Sequence, residues 1–461
     1  MSFIGIDLGG TFIKGAILDV DSIQIKHTRR RPFPDFEAGA AYERAVSPEK
    51  VLPAFRALLD DLLSLDPACD GLLLCGQMHA LVFCDGQGNQ KSQIITWQDQ
   101  RTALPFDDAG RSCFDLLKET LHNWDLRTLG NEFRPGLPLT QLFFLKQKGM
   151  LPEGLYPACL MDFVVANLCK TAPVTDSTNA EAYGVFNVIN GNWDFRLIEK
   201  LGLDQLIWPE VKPHFTPVGT FTHQGREIPC YVAAGDQQCA LLGSFIKERE
   251  LSLNIATGSQ VSMLSENCEL GDYQIRPYFE GKYLNTITHI PAGRALNALI
   301  HLITEISASQ MPSDAIWEYI QREVEKLSDT NLNVSITFYD GPLGNSGHIA
   351  NMQENNMTVG NVFLAAFNSM AENYYECALR LSPEQGWDLI VFSGGLVSKI
   401  PASQKIIIQK FGNIPWYINE TQEDTLLGLL TIVMKISNIK QSLFEAASLV
   451  HIGNFPGGKA R

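Results

Sequence analysis

The sequence predicts two α/β domains that face each other across a deep cleft. Three observations lead there. A chain of 461 residues is long for one core and suits two domains of roughly 200 residues each. The same pattern of strand, glycine turn and strand occurs in both halves, at Asp7–Thr11 and again at Thr257–Ser259. No low-complexity linker separates the halves, so the crossover has to be short and ordered, near residues 235–250.

In order along the chain, Phe3–Leu8, Phe12–Asp19 and Ile23–Arg31 read as strands whose short connections imply antiparallel hairpins. Pro48 to Leu65 carries Val51, Phe55, Leu58, Leu59 and Leu62 at helical spacing. Leu72–Cys75 and Leu81–Cys84 are apolar strands flanking Gly76-Gln77-Met78-His79, and helices are expected at Arg111–His122, Leu139–Lys148 and Leu160–Cys169. In the second half, Tyr231–Ala234 reads as a strand feeding a helix from Asp236 to Phe245. Strands Leu251–Ala256 and Val261–Leu264 follow, then helices Gly293–Ser307, Ser313–Lys326 and Val359–Leu381. The buried strand Leu389–Phe392 meets Ser393-Gly394-Gly395, with helices after it at Pro401–Phe411 and Thr425–Ile436.

Hydrophobic residues at 45% and charged residues at 19% describe a globular chain that can bury a core. A net charge of −15 lacks the electrostatic footprint of a nucleic-acid binder. The ten cysteines form no Cys-x-x-Cys pair, so neither a disulfide framework nor a zinc site is expected. No signal-peptide pattern and no membrane-length apolar run is seen, and the expectation is a cytoplasmic protein with no membrane partner.

Asp7-Leu8-Gly9-Gly10-Thr11 joins two strands. Gly10 lets backbone N–H groups approach phosphate oxygens, Thr11 adds a hydroxyl, and Asp7 at the strand end suits a metal ion. Lys14 is a candidate phosphate cation. Alone, the motif fits an ordinary hairpin turn equally well. Thr257-Gly258-Ser259 repeats its chemistry, and two such turns could grip a triphosphate from both sides. Gly394-Gly395 could let a nucleoside lie flat on backbone, and no P-loop signature is present.

Ala233-Ala234-Gly235-Asp236-Gln237-Gln238 puts a carboxylate at a strand–helix junction near the crossover. It reads as a helix N-cap and also as a general base kept ionised by the helix dipole. Gln77, Met78, His79 and the run Thr96-Trp97-Gln98-Asp99-Gln100-Arg101 combine fixed polar groups with an aromatic face, as a sugar pocket does. His79 and Trp97 taken singly fit core roles as well.

Six blocks in order, Gly5–Lys14, Gly76–Leu81, Trp97–Arg101, Ala233–Gly243, Asn254–Val261 and Ser393–Lys399, resemble the FGGY carbohydrate kinases within the actin-like ATPase superfamily. The resemblance implies two actin-like ATPase (ribonuclease H-like) domains flanking a deep catalytic cleft. Residues 1–240 would be the sugar side with the first phosphate turn, and residues 241–461 the nucleotide side. It implies ATP and Mg²⁺ as cofactors, Asp236 as catalytic base and Asp7 at the metal. Gly10, Thr11, Lys14, Thr257, Gly258, Ser259, Gly394, Gly395 and Lys399 would hold nucleotide, and Gln77, Met78, His79, Trp97, Asp99 and Gln237 a sugar.

Within the family, Gln77-Met78-His79 and Trp97-x-Asp99 resemble the ketose kinases. Met161–Cys169, Thr178-Asn179-Ala180 and Glu354-Asn355-Asn356 favour sedoheptulose over xylulose as the ketose phosphorylated at its terminal hydroxyl. The segment Phe338–Gly347 departs from the family's Gly-Glu-Arg element. A different class of reading is a non-catalytic sugar or nucleotide sensor on the same fold, against which the presence of Asp7, Thr11 and Asp236 counts. A homodimer is left open.

Overall fold

The computed structural model describes residues 1–40, 42–305, 313–419 and 423–454. The mixed α/β chain builds two large sheets by the same construction. In the first, Ser2–Leu8, Phe12–Asp19 and Gln24–Pro32 pair antiparallel in succession, as their short connections predict. The helix Pro48–Leu65 then crosses over, burying Val51, Phe55, Leu58, Leu59 and Leu62 with Ser47 as its N-cap. It returns the chain to Leu72–Gly76, parallel to Ser2–Leu8 on its other side. Pro217–His223 and Arg226–Tyr231 extend that edge.

The second sheet repeats the plan. Glu250–Asn254, Gly258–Ser265 and Tyr283–Pro291 pair antiparallel, and Leu389–Ser393 returns parallel to Glu250–Asn254. Its crossover is longer and holds the helices Gly293–Thr304, Ser313–Glu325 and Val359–Leu381.

Most expected elements stand within two or three residues of their predicted bounds. The predicted end of one helix at Ser307 lies outside the described residues. The segment expected as a strand at Tyr231–Ala234 divides: one strand ends at Tyr231, and Ala234–Gly235 pairs separately with Leu72–Gly76. Apolar character runs through both pieces, which hides the break from the sequence.

Parallel register decides what meets at the sheet edges. Asp7 lies opposite Cys75, Leu8 opposite Gly76, and Gly76 opposite Gly235. The residues that follow, Gly9, Gln77 and Asp236, therefore leave the first sheet side by side. In the second sheet Asn254 lies opposite Ser393, bringing the Thr257 turn beside Gly394.

Two helices join the sheets. Asp236–Gly243 and Asp424–Ile436 touch backbone to backbone: a Cβ on Gly243 would lie 1.9 Å from the Asp424 carbonyl oxygen, and one on Gly428 2.0 Å from that of Cys239. Only glycine permits this approach. Their apolar faces share one core cluster with residues of both sheets, including Ala16, Leu18, Cys75 and Leu284.

Candidate functional site

Between the sheets lies a cavity of about 730 Å³. The first sheet's edge contributes Gln77, Met78, His79 and Asp236, the second's Thr257, Gly258 and Ser259, and Trp97 stands at its wall with 37% of its surface exposed. His79 has φ of 65°, in the left-handed region that non-glycine residues seldom adopt.

Asp236 is the first residue of its helix and Gly235 the cap, so the N-cap reading is corrected. Its Oδ1 accepts from the Gln237 backbone N–H at 2.8 Å. Burial first, then the nearby charge of Asp7, pushes its carboxyl up to about 7, so the helix N-terminus does not hold it ionised as expected. Part of the residue still faces the cleft, although protein surrounds the carboxyl closely. The preceding backbone is propped from behind. Thr178 Oγ1 accepts from the Gly235 N–H at 2.9 Å and donates to Asp176 at 2.7 Å, while Asn179 donates to the Ala233 carbonyl at 3.0 Å.

Asp7 is buried. Its Oδ2 accepts from Thr425 Oγ1 at 2.8 Å, whereas Oδ1 has no protein partner. Burial raises this carboxyl to about 6 against the opposing effects of Thr425 and Lys14. Among the described residues no cluster of three or more His, Cys, Asp or Glu offers an all-protein metal cage. One free carboxylate oxygen fits Mg²⁺, which takes one or two carboxylates and completes its shell with phosphate and water.

Gly10 and Thr11 are exposed at the turn tip, and a Cβ on Gly10 would lie 3.5 Å from Gln77 Oε1. Lys14 Nζ is 3.3 Å from Glu423. Thr257 and Gly258 are exposed, but Ser259 is turned inward and its Oγ accepts from the Ala256 N–H at 3.2 Å. Gly394 has φ of 98°, and a Cβ there would lie 2.4 Å from the Ile255 carbonyl oxygen, while Gly395 is open to solvent. Gln237 donates to Gln260 at 3.3 Å across the cavity.

Eight of the expected site residues do not line this cavity: Asp7, Gly10, Thr11, Lys14, Gly394, Gly395, Asp99 and Lys399. Asp99 is fully buried and does not line the cavity. It accepts from the Arg44 N–H at 2.8 Å and from Arg101 Nε and Nη2 at 2.8 and 2.7 Å, so it secures the loop behind Trp97. Lys399 also lies off the cavity and pairs with Asp314 at 2.8 Å on the surface.

The sequence reading missed a buried polar group on the cavity wall. Glu132 takes Arg276 Nη2 at 2.6 Å and Arg134 Nε at 3.0 Å, and His79 Nε2 lies 3.2 Å away. Burial drives Glu132 up, but Arg276, His79 and Arg134 together outweigh it and hold the carboxyl well below its usual range. Burial also pulls His79 down, so the imidazole is neutral and its approach to Glu132 is not an ion pair. Asp424, whose carboxyl burial raises to about 7, was missed too, as was Tyr339, which stacks under Arg294 at 4.5 Å. Both line the cavity. Tyr339 lies in the segment that departs from the family pattern.

Comparison with known proteins adds to this geometry. The model of the FGGY family of carbohydrate kinases, N-terminal domain, matches residues 2–243. The xylulose kinase of Staphylococcus xylosus is 26% identical over 331 residues, 65% of this chain and 64% of that protein, so less than two thirds of its length is spanned. The xylulose kinase of Rhodospirillum rubrum superposes with a TM-score of 0.83 at 15% identity, covering 97% of this chain and 92% of that one. Plasmodium falciparum glycerol kinase with ADP superposes at 0.79 with 16% identity and the same coverage. Such identities speak to fold alone, the two-domain actin-like ATPase fold, which the paired sheets display. With the family model spanning more than half its length, the chain belongs to the FGGY family of carbohydrate kinases.

Proposed function

We propose that the protein is an ATP-dependent carbohydrate kinase that phosphorylates the terminal hydroxyl of a ketose. The observation that carries this reading is Asp236, a carboxylate that burial raises to about 7, at the wall of a polar cavity that the Thr257–Ser259 turn of the second sheet also lines. Phosphoryl transfer asks the protein mainly for positioning, charge stabilisation and a proton acceptor.

In this reading Gln77, Met78, His79, Trp97 and Gln237 hold the sugar. Gly10, Thr11, Lys14, Thr257, Gly258 and Ser259 hold the phosphates, and Gly394 and Gly395 the nucleoside. Asp7, through its unpartnered Oδ1, is the residue that would hold Mg²⁺, and the ion supplies neutralising charge to the phosphates when bound. Asp236 takes the proton of the attacking hydroxyl. The freed oxygen bonds to the γ-phosphorus of ATP as the bond to the β–γ bridging oxygen breaks, and ADP leaves with that oxygen. Residues 1–240 then form the sugar side and 241–461 the nucleotide side. Asp99 supports the Trp97 loop, and Lys399 is left outside this set.

Which ketose is a finer question. The relatives named xylulose kinase support xylulose. Sedoheptulose rests on Met161–Cys169 and Glu354–Asn356, neither of which lines the cavity. The test is coupled ADP release with D-xylulose, sedoheptulose, D-ribulose and glycerol. Glycerol as the best substrate overturns the ketose assignment.

A further inference from the structure

The Glu132–Arg276 pair joins residues 144 positions apart, one from each half of the chain. Their side chains are only 4% and 6% exposed, yet both line the cavity that holds Asp236. Backbone and amide bonds fix the flanks. The Ile275 N–H donates to the Gly130 carbonyl at 3.0 Å, and Asn131 Nδ2 donates to the Tyr273 carbonyl at 3.0 Å. The pair therefore sits on a rigid seam rather than on a moving edge.

A buried ion pair with every donor filled would be a structural brace. This one is not filled. Arg276 Nη1 has only the thioether of Met78, at 3.7 Å, and Nε has no partner. Thioether sulfur is a weak acceptor. Beside them on the same cavity wall, Gln77 Nε2 is buried without a hydrogen-bond partner. Buried donors left unmade are costly, so Arg276 Nε and Gln77 Nε2, together with the weakly met Arg276 Nη1, call for a ligand rich in oxygen acceptors.

The charge of the wall narrows the class further. Glu132 offers carboxylate oxygens next to the guanidinium, so an anionic group meeting Arg276 would also meet Glu132. Hydroxyls both donate and accept, and a neutral polyhydroxylated chain satisfies both partners at once.

We propose that Arg276, clamped by Glu132, selects the acceptor by donating to an oxygen of a neutral sugar chain, away from the hydroxyl that Asp236 deprotonates. This deepens the carbohydrate-kinase reading and rests on it. Arg276 makes a triol a poor acceptor, because a triol at Asp236 leaves the guanidinium unpaired. A site built to bond hydroxyls rejects analogues that lack them far more strongly than it rejects a missing methylene.

The experiment compares wild type with Arg276→Lys and Glu132→Gln, and with Arg276→Met where that variant folds. Steady-state ADP release is measured with D-xylulose, sedoheptulose and glycerol, MgATP binding by calorimetry, and Tm alongside. In Arg276→Lys the charge stays and the planar fork is lost. Its KM for the preferred ketose is expected to rise at least tenfold, with kcat lowered less than threefold and the MgATP Kd within twofold. The preference for ketose over glycerol should shrink about tenfold, and Glu132→Gln should move in the same direction. A lower Tm and kcat with the ketose KM within twofold of wild type would mean a brace only and overturns this inference alone. Wild-type protein that phosphorylates no member of the panel overturns the kinase reading, and this inference with it.

Discussion

Replacing Asp236 with Asn removes the proposed base while leaving the local structure a route to survive. The Asn amide oxygen can still accept the Gln237 N–H that Oδ1 accepts at 2.8 Å. Asp236 titrates at about 7 because burial, and after it the charge of Asp7, disfavours its ionised form. A base at that value is matched to neutral pH, where general-base catalysis contributes roughly 10²–10⁴-fold. Asp236→Asn should therefore lower kcat by roughly 10²-fold or more, with MgATP affinity changed by less than about twofold. For wild type, the ionised fraction goes from roughly a tenth at pH 6 to nine tenths at pH 8, so kcat/KM for the sugar rises roughly tenfold over that span. Mg²⁺ held at Asp7 offsets the second cause, so saturating MgATP shifts this limb down, yet above the ordinary value of 3.8 because burial is the larger cause. The limb should vanish in the variant. Stability moves oppositely. The folded pKa lies above the unfolded one, so the protonated form's contribution is complete below about 3.8 and is lost as pH rises through about 7. Asparagine does not titrate, and the Tm of Asp236→Asn minus that of wild type should increase from pH 4 to pH 8. Coupled ADP release, calorimetry and thermal scans measure these quantities. Near-wild-type turnover in the variant, or a retained pH limb, refutes the base assignment.

Thr11→Ala should raise the KM for ATP before it affects the sugar; a rise confined to the sugar KM would place the first turn wrongly. Asp99→Ala removes a fully buried carboxylate that accepts four close hydrogen bonds from Arg44 and Arg101, and should cost roughly 3–5 kcal/mol of stability, visible as a lower Tm. A wild-type Tm with a raised sugar KM would instead put Asp99 against the ligand. Gly428→Ala adds a methyl 2.0 Å from the Cys239 carbonyl oxygen and should destabilise by roughly 1–3 kcal/mol while displacing the helix that begins at Asp236, lowering kcat. An unchanged Tm would contradict the backbone contact between the two helices.

The sequence made part of this site legible for a physical reason. Apolar strands that end in glycine turns mark Asp7, Thr257 and Gly394, and the repeated pattern predicted two similar sheets that share one cleft. Parallel register then does the gathering, through Asp7 beside Cys75 and Gly76 beside Gly235. Glu132 and Arg276 were illegible because each finds its partner 144 residues away, and neither sits in a motif. Asp99 shows the opposite failure. A local Trp-x-Asp pattern says nothing about which way the carboxylate turns, and here it turns into the loop to meet Arg44 and Arg101. Asp236 was placed at a helix start but one position early as a cap. The dipole argument for its ionisation lost to burial and Asp7, which no local pattern reveals.

The most direct test of phosphoryl transfer to a terminal hydroxyl is a single turnover with γ-labelled ATP and the preferred ketose, followed by product analysis by NMR. The account predicts one label per turnover on the terminal primary hydroxyl of the ketose, with formation slowed roughly 10²-fold or more in Asp236→Asn. Label recovered only as inorganic phosphate, or on a secondary hydroxyl, would contradict it.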